Sequence, residues 1–198
     1  MTSRTILRVA GWAAHISAVA IVLMVATAIL GSTLRLGNTF SVVVVILMAL
    51  LIVVALALYL ILRSAAPAMS LAATAIGILA MLMTGVAHVL AMAGALSPDQ
   101  FYTTGEGIGP AGIGLWLLLV NYLAARSKAL PRGLTWIGLI AGAGWLLSGV
   151  GALIGESQTL PFSIGPLGIF VVSPIWAIWL GRRLLAQPDS VVQMARAG

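Results

Sequence analysis

Long apolar runs alternate with short, more polar segments along the whole chain. Six runs, at residues 6–30, 40–62, 70–96, 108–125, 134–154 and 164–180, are dominated by Ala, Val, Leu, Ile and Gly. Most approach or exceed the roughly 20 residues that an α-helix needs to cross a bilayer. The pattern predicts an all-α fold, a polytopic transmembrane helical bundle with six spans.

The segments between these runs, at 31–39, 63–69, 97–107, 126–133 and 155–163, contain the Gly, Pro, Ser and Asn that break helices. We expect them to be short connections inside a single transmembrane domain of residues 1–198, with 181–198 as a cytoplasmic tail. The first run has Arg4 and Arg8 at its start, as a secretory signal would, but it is longer than a signal core. It is therefore predicted to be an uncleaved helix, with cleavage near Ala28 as the alternative.

Basic residues are distributed very unevenly between the two predicted ends of the bundle. Nine of the ten fall on one side, and only Arg35 falls on the other; the nine are Arg4, Arg8, Arg63, Arg126, Lys128, Arg132, Arg182, Arg183 and Arg196. Short loops rich in Lys and Arg remain in the cytoplasm. The distribution predicts that both termini are cytoplasmic, which requires an even number of spans.

Composition supports the same assignment. Only 7% of the residues are charged, 62% are hydrophobic and mean hydropathy is +1.17, whereas a soluble domain has about 25% charged residues. The net charge of +6 does not indicate nucleic-acid binding, because the basic residues stand at helix ends and not in a continuous stripe. Their expected partner is the lipid bilayer. Cysteine is absent, which excludes thiolate chemistry and cysteine metal sites.

Two short segments resemble each other. Residues 107–113 read Gly-Ile-Gly-Pro-Ala-Gly-Ile, and residues 163–169 read Ser-Ile-Gly-Pro-Leu-Gly-Ile. The repeat suggests either three related helical hairpins or two similar helix starts without common origin. In both cases the proline is expected in the first helical turn, where its missing N–H costs nothing.

Span five carries small residues on two faces. One stripe contains Gly144, Ser148, Gly151 and Gly155, and the other contains Gly138, Gly142 and Gly149. Small residues allow membrane helices to approach until their backbones touch. We expect span five to pack against a different helix on each side, near the centre of the bundle.

Groups able to carry chemistry inside the membrane are scarce. Apart from Arg8 at the start of the first run, no Asp, Glu, Lys or Arg falls within a predicted span, and His15, His88 and Asn121 are the notable polar residues. A proton-coupled transporter normally needs a titratable relay in the membrane, so this class is disfavoured. No spacing typical of a serine nucleophile, a metalloprotease or a phosphate loop is present. The sequence predicts no catalytic or metal-binding residues and favours a protein that is not an enzyme.

The two histidines raise the possibility of a haem or pigment ligand. At 1.5 Å per residue, His15 and His88 are expected at depths about 15 Å apart, which disfavours two axial ligands on one iron. A single histidine binding a porphyrin or pigment remains open, and a helix–helix hydrogen bond is the simpler alternative. No cofactor is predicted.

A polar mouth is predicted at the end opposite the arginines. The segment 97–107 holds Tyr102 and Glu106, the segment 155–163 holds Glu156, and His88 lies on the outer half of span three. These four residues could form a shallow binding site for a cation or another polar ligand. The alternative is that they are solvated loop residues without a ligand.

Two interfacial motifs carry a resemblance to a known family. Residues 130–139 read Leu-Pro-Arg-Gly-Leu-Thr-Trp-Ile-Gly-Leu, and residues 176–182 read Trp-Ala-Ile-Trp-Leu-Gly-Arg. They resemble a family of small bacterial six-span membrane proteins known as a domain of unknown function (number 4386). The resemblance implies the six-span fold and location in the bacterial cytoplasmic membrane. It implies no activity and no site residues.

Three functional hypotheses follow. The leading one is a non-enzymatic bundle that binds an apolar or amphipathic ligand, or that serves as an accessory subunit of a membrane complex or a homo-oligomer. The second is a small-solute or ion transporter or channel with an extracytoplasmic mouth. The third is a haem- or pigment-binding membrane protein.

The orientation can be tested with single cysteines, because the chain has no native thiol. Thr103→Cys should react with a membrane-impermeant maleimide added to intact cells. Ser127→Cys should react only after the membrane is permeabilised. The reverse pattern of labelling would contradict the orientation derived from charge.

Overall fold

The computed structural model describes residues 3–34, 38–154 and 160–186 of the chain. All regular elements in these ranges are helical. They are α1 (Ser3–Leu34), α2 (Thr39–Leu62), α3 (Pro67–Met92), α4 (Pro98–Phe101), the π-helix π1 (Tyr102–Ile108), α5 (Gly109–Ser127), α6 (Arg132–Ile154), α7 (Leu160–Leu167), the π-helix π2 (Gly168–Val172) and α8 (Ser173–Ala186).

Six helical segments in the described residues are long and apolar enough to cross a membrane. Spans one, two, three and five correspond to α1, α2, α3 and α6. Span four is the continuous run α4–π1–α5 (Pro98–Ser127), and span six includes Ile164–Ala186 of the run α7–π2–α8. The predicted all-α class and the number of apolar spans are confirmed.

Span four begins about ten residues before its predicted start. Ser97 caps α4: its Oγ accepts the N–H of Gln100, and the Gln100 side chain accepts the N–H of Ser97. This reciprocal capping box starts a helix where a loop was expected. Pro110 consequently lies well inside span four, and Pro166 lies inside α7. The expectation that both prolines open their spans is wrong.

The six spans form a closed ring in sequential order. Each span packs against the next one along the chain, and α1 closes the ring by packing against α8. Consecutive spans are antiparallel because the connections between them are short. Exposed arginines mark one end of the ring: Arg63, Arg126, Arg132 and Arg182. We call this the arginine end and the opposite end, where π1 lies, the Glu106 end.

The two small-residue stripes of span five contact two different helices, as predicted. Gly142 and Gly149 lie against the backbone of span four, and Gly144 lies against Gly168 in π2. A Cβ atom added at Gly144 would stand 2.5 Å from the Cα of Gly168. Span five is one member of the ring, whereas a position near the bundle centre was expected. Gly155, the last residue of its predicted stripe, lies outside the described residues.

The contact between Gly144 and Gly168 predicts a position-specific effect of adding one methyl group. Gly144→Ala should lower the thermal stability of the purified protein, since overpacking of this kind costs about 1–3 kcal/mol. Gly85→Ala is the matched control, because its Cβ would lie 3.7 Å from the nearest atom, Met48 Cβ. A thermal melt followed by circular dichroism compares the two. Equal melting temperatures would contradict the packing described here.

Candidate ligand-binding cavity

A cavity of about 180 Å³ lies inside the ring at the Glu106 end. Every span contributes to its wall, which places it on the axis of the bundle. One residue from each span in order illustrates this arrangement: Met24, Val44, His88, Glu106, Ser148 and Phe170. An engineered cavity of about 150 Å³ is large enough to hold benzene, so this space can hold a small organic group.

Three tryptophans lie beneath the cavity, near the middle of the ring. Trp116, Trp145 and Trp176 surround a void of only about 10 Å³, and Trp145 also lines the cavity above. A void of that size holds no more than about one water molecule. We call these three residues the tryptophan floor, since they separate the cavity from the arginine end.

Hydrogen bonds hold two of the three tryptophans of the floor, whereas the indole N–H of Trp116 has no partner among the described residues. The indole N–H of Trp176 donates to Oδ1 of the buried Asn121 at 3.3 Å, and the Asn121 amide donates to the carbonyl of Leu117. The indole N–H of Trp145 donates to Ser173 Oγ at 3.1 Å. Asn121, which stood out in the sequence, therefore links spans four and six.

His88 lies in the cavity wall with only 1% of its surface exposed. Its Nδ1 is 3.1 Å from Ser41 Oγ in the first turn of α2, and its Nε2 is 3.6 Å from Glu106 Oε1. The edge of the ring also contacts Phe101, with a centroid distance of 4.9 Å. The hydrogen bond to Ser41 and the aromatic contact hold the imidazole so that Nε2 faces the carboxylate.

Glu106 reaches the cavity from the π-helix π1. Glycines flank it at Gly105 and Gly107, and both are buried against neighbouring side chains. π-Helical segments are rare and occur mainly at functional sites, where an extra residue redirects the side chains of a turn. The Glu106 side chain is 36% exposed, so it stands at the rim of the cavity and is partly accessible from outside the bundle.

Thr84 adds a buried hydroxyl to the cavity wall. Its Oγ1 has no hydrogen-bond partner among the described residues, and the side chain is 2% exposed. Gly109 lies directly against this hydroxyl, leaving no space for a side chain. A buried hydroxyl without a partner costs free energy.

Most of the remaining wall is apolar. Phe40, Trp145 and Phe170 contribute aromatic rings, and Met24, Met48 and Ile169 contribute flexible or branched aliphatic surface. The cavity therefore combines an apolar body with one polar side, formed by Thr84, His88 and Glu106. This is the usual character of a small-molecule site.

The four residues proposed from the sequence for the polar mouth have different positions. His88 and Glu106 meet in the cavity wall. Tyr102 is 60% exposed and does not line the cavity, although its ring is near Phe101. Glu156 lies outside the described residues.

His15, the other residue proposed as a cofactor ligand, stands apart from this cavity. Its Nδ1 donates to the carbonyl of Gly11 at 2.8 Å, and its ring packs against Gly181 of α8. Its surroundings are those of a helix-packing residue. In the described residues, no group of three His, Asp or Glu side chains is arranged to bind a metal ion.

The sequence analysis did not identify the residues that surround His88 or share its cavity wall. Thr84 lies four residues before His88 on α3, a spacing that places both on one helical face, and this signal was available. Ser41, Phe40 and Phe101 gave no such signal, because their contacts with His88 depend on how α2 and span four pack against α3.

A family model described as "Domain of unknown function (DUF4386)" matches residues 93–183. The matched stretch includes both motifs that suggested this family, and the predicted resemblance is confirmed there. It also contains spans four and five and most of span six, and thus both π-helices and Glu106. No curated protein and no solved structure matches the chain.

Two buried hydroxyls should respond differently to removal. Ser173→Ala leaves the indole N–H of Trp145 without its acceptor, and we expect a loss of about 1–3 kcal/mol of stability. Thr84→Val removes a hydroxyl that has no partner in the described residues, so ligand-free protein should be unchanged or slightly more stable. Thermal melts of the two variants test this. A larger loss for Thr84→Val than for Ser173→Ala would show that the Thr84 hydroxyl is bonded.

Proposed function

We propose that the protein binds a small amphipathic molecule in the axial cavity at the Glu106 end. The observation that carries the proposal is the wall itself: all six spans converge on one mostly apolar space, whose polar side chains are Thr84, His88, Glu106 and Ser148. Helix packing alone would favour side chains that fill such a space, because an empty cavity loses van der Waals contacts between the helices.

The chemistry of the wall supports an amphipathic ligand. Phe40, Met48 and Phe170 suit an apolar body, whereas Glu106 and His88 offer a carboxylate and an imidazole. An entirely apolar ligand would leave the polar side unsatisfied. An entirely polar ligand would lose its hydration against the aromatic rings without gaining hydrogen bonds there, which costs free energy.

A second candidate function, transport of a small solute, is supported by the position of the cavity on the bundle axis. The tryptophan floor would then be a gate, and the void beneath the cavity, lined by Ser17 and Ser173, would continue the path. The hydrogen bonds of Trp145 and Trp176 favour a closed floor and thus favour binding over transport. Transport and simple binding are distinguished by measuring whether a molecule that binds in the cavity also crosses the membrane of liposomes containing the protein.

The membrane location of the protein and its partners are also proposals. The charge distribution supports insertion in the bacterial cytoplasmic membrane with both termini inside, so that the cavity would open to the outside. A role as an accessory subunit or homo-oligomer would add a partner without changing the cavity. A haem or pigment receives less support, because Ser41 and Glu106 already face the two ring nitrogens of His88.

Photolabelling tests ligand binding in the cavity. A short-chain alcohol carrying a diazirine should label cavity residues such as Ile169 and Phe170 when the protein is irradiated in lipid nanodiscs. Mass spectrometry of the digested protein locates the adducts. Val44→Phe places a ring in the cavity and should remove this labelling.

Val42→Phe is the matched control, because Val42 is 46% exposed on the outer face of the same helix. It should leave cavity labelling intact. If Val44→Phe fails to fold, Ser148→Leu fills the same cavity from span five. Adducts confined to the exposed outer faces of the helices in wild-type protein would overturn the proposal.

A further inference from the structure

The cavity wall contains one acidic side chain and no lysine or arginine among the described residues. Glu106 provides the negative charge, and the group that faces it within the bundle is His88 Nε2, at a distance of 3.6 Å. That distance exceeds the range of a hydrogen bond. It is still within ion-pair distance, but the cavity wall offers Glu106 no lysine or arginine among the described residues, and a positive ligand group would supply a permanent charge.

Aromatic rings provide a second feature that favours a positive ligand. Phe40, Trp145 and Phe170 line the same cavity as Glu106. The face of an aromatic ring carries partial negative charge and attracts cations, most strongly where water is excluded, and quaternary ammonium groups are recognised in this way. The rings and the carboxylate thus attract the same kind of group.

A bare metal ion does not fit this environment. Calcium requires six to eight oxygen ligands, and magnesium requires near-ideal octahedral geometry. The described residues contain no group of three His, Asp or Glu side chains suited to a metal ion. A volume of about 180 Å³ walled by apolar side chains instead suits an organic cation with a small apolar body.

We propose that the ligand of this cavity is an organic cation, with an ammonium group placed between Glu106 and the rings of Phe40, Trp145 and Phe170. This inference rests on the proposed binding function and names the chemical class of its ligand.

A pair of probes of equal shape tests the charge requirement. Phenyltrimethylammonium and tert-butylbenzene differ in one central atom, nitrogen or carbon, and thus in charge. Each is used to compete with the diazirine alcohol for photolabelling of the cavity in nanodiscs of zwitterionic lipid. We expect the cation to compete at about tenfold lower concentration, as a net attraction of about 1.4 kcal/mol would give.

Glu106→Gln removes the charge, so the two probes should then compete with the diazirine alcohol at similar concentrations. Asp99→Asn, a change at an exposed acid in the same span, should preserve the tenfold preference. If Glu106→Gln does not fold, Phe40→Leu keeps the carboxylate and removes one ring. It should weaken competition by the cation more than competition by the neutral probe.

The outcomes separate this inference from the binding function. Equal competition by both probes in the wild-type protein overturns the cation inference and leaves ligand binding standing. A preference that survives Glu106→Gln also overturns it, and so does failure of the cation to compete while the cavity is still labelled. Absence of cavity labelling in the wild-type protein overturns the binding function itself.

Discussion

Backbone contact through glycine is the interaction on which this architecture depends. Span five touches span four at Gly142 and Gly149, and it touches span six where Gly144 meets Gly168. Without a hydrophobic driving force between helices in lipid, such close contact is a main source of association. It draws spans four, five and six together tightly, and a similar contact closes the ring where Gly11 of α1 meets Gly181 of α8. The buried faces of α1 and α3 are also rich in alanine, whereas that of α2 carries mainly Val, Leu and Met. The cavity is the axial space that this arrangement leaves at one end.

The π-helices connect this packing to the cavity. π1 contains Glu106 between buried glycines, and π2 contributes Gly168 to the contact with span five and Ile169 and Phe170 to the cavity wall. The same two segments therefore contribute both to helix packing and to the cavity wall. Each adjoins one of the repeated Gly-Pro-X-Gly sequences: π1 ends just before the first, and π2 begins at the last glycine of the second.

Much of the fold could be predicted because each span, taken separately, must be long and apolar enough to cross the bilayer. Run length and composition were enough for six spans, and helical spacing was enough for the two glycine stripes. The start of span four was missed because hydropathy does not detect the local hydrogen bonds of the Ser97 capping box. His88 and Glu106 were predicted at one mouth from their depth alone. Their contact, the Ser41 partner and the aromatic wall depend on packing between helices distant in sequence, which hydropathy does not contain.

The central claim is that the axial cavity holds one small positively charged molecule. Native mass spectrometry of protein released directly from its own membranes tests it most directly. The account predicts a single small adduct bound one-to-one in the wild-type protein, identified as an organic amine after dissociation, and absent from Val44→Phe but present in Val42→Phe. A spectrum showing only bare protein and lipids bound equally by all three proteins would contradict the account.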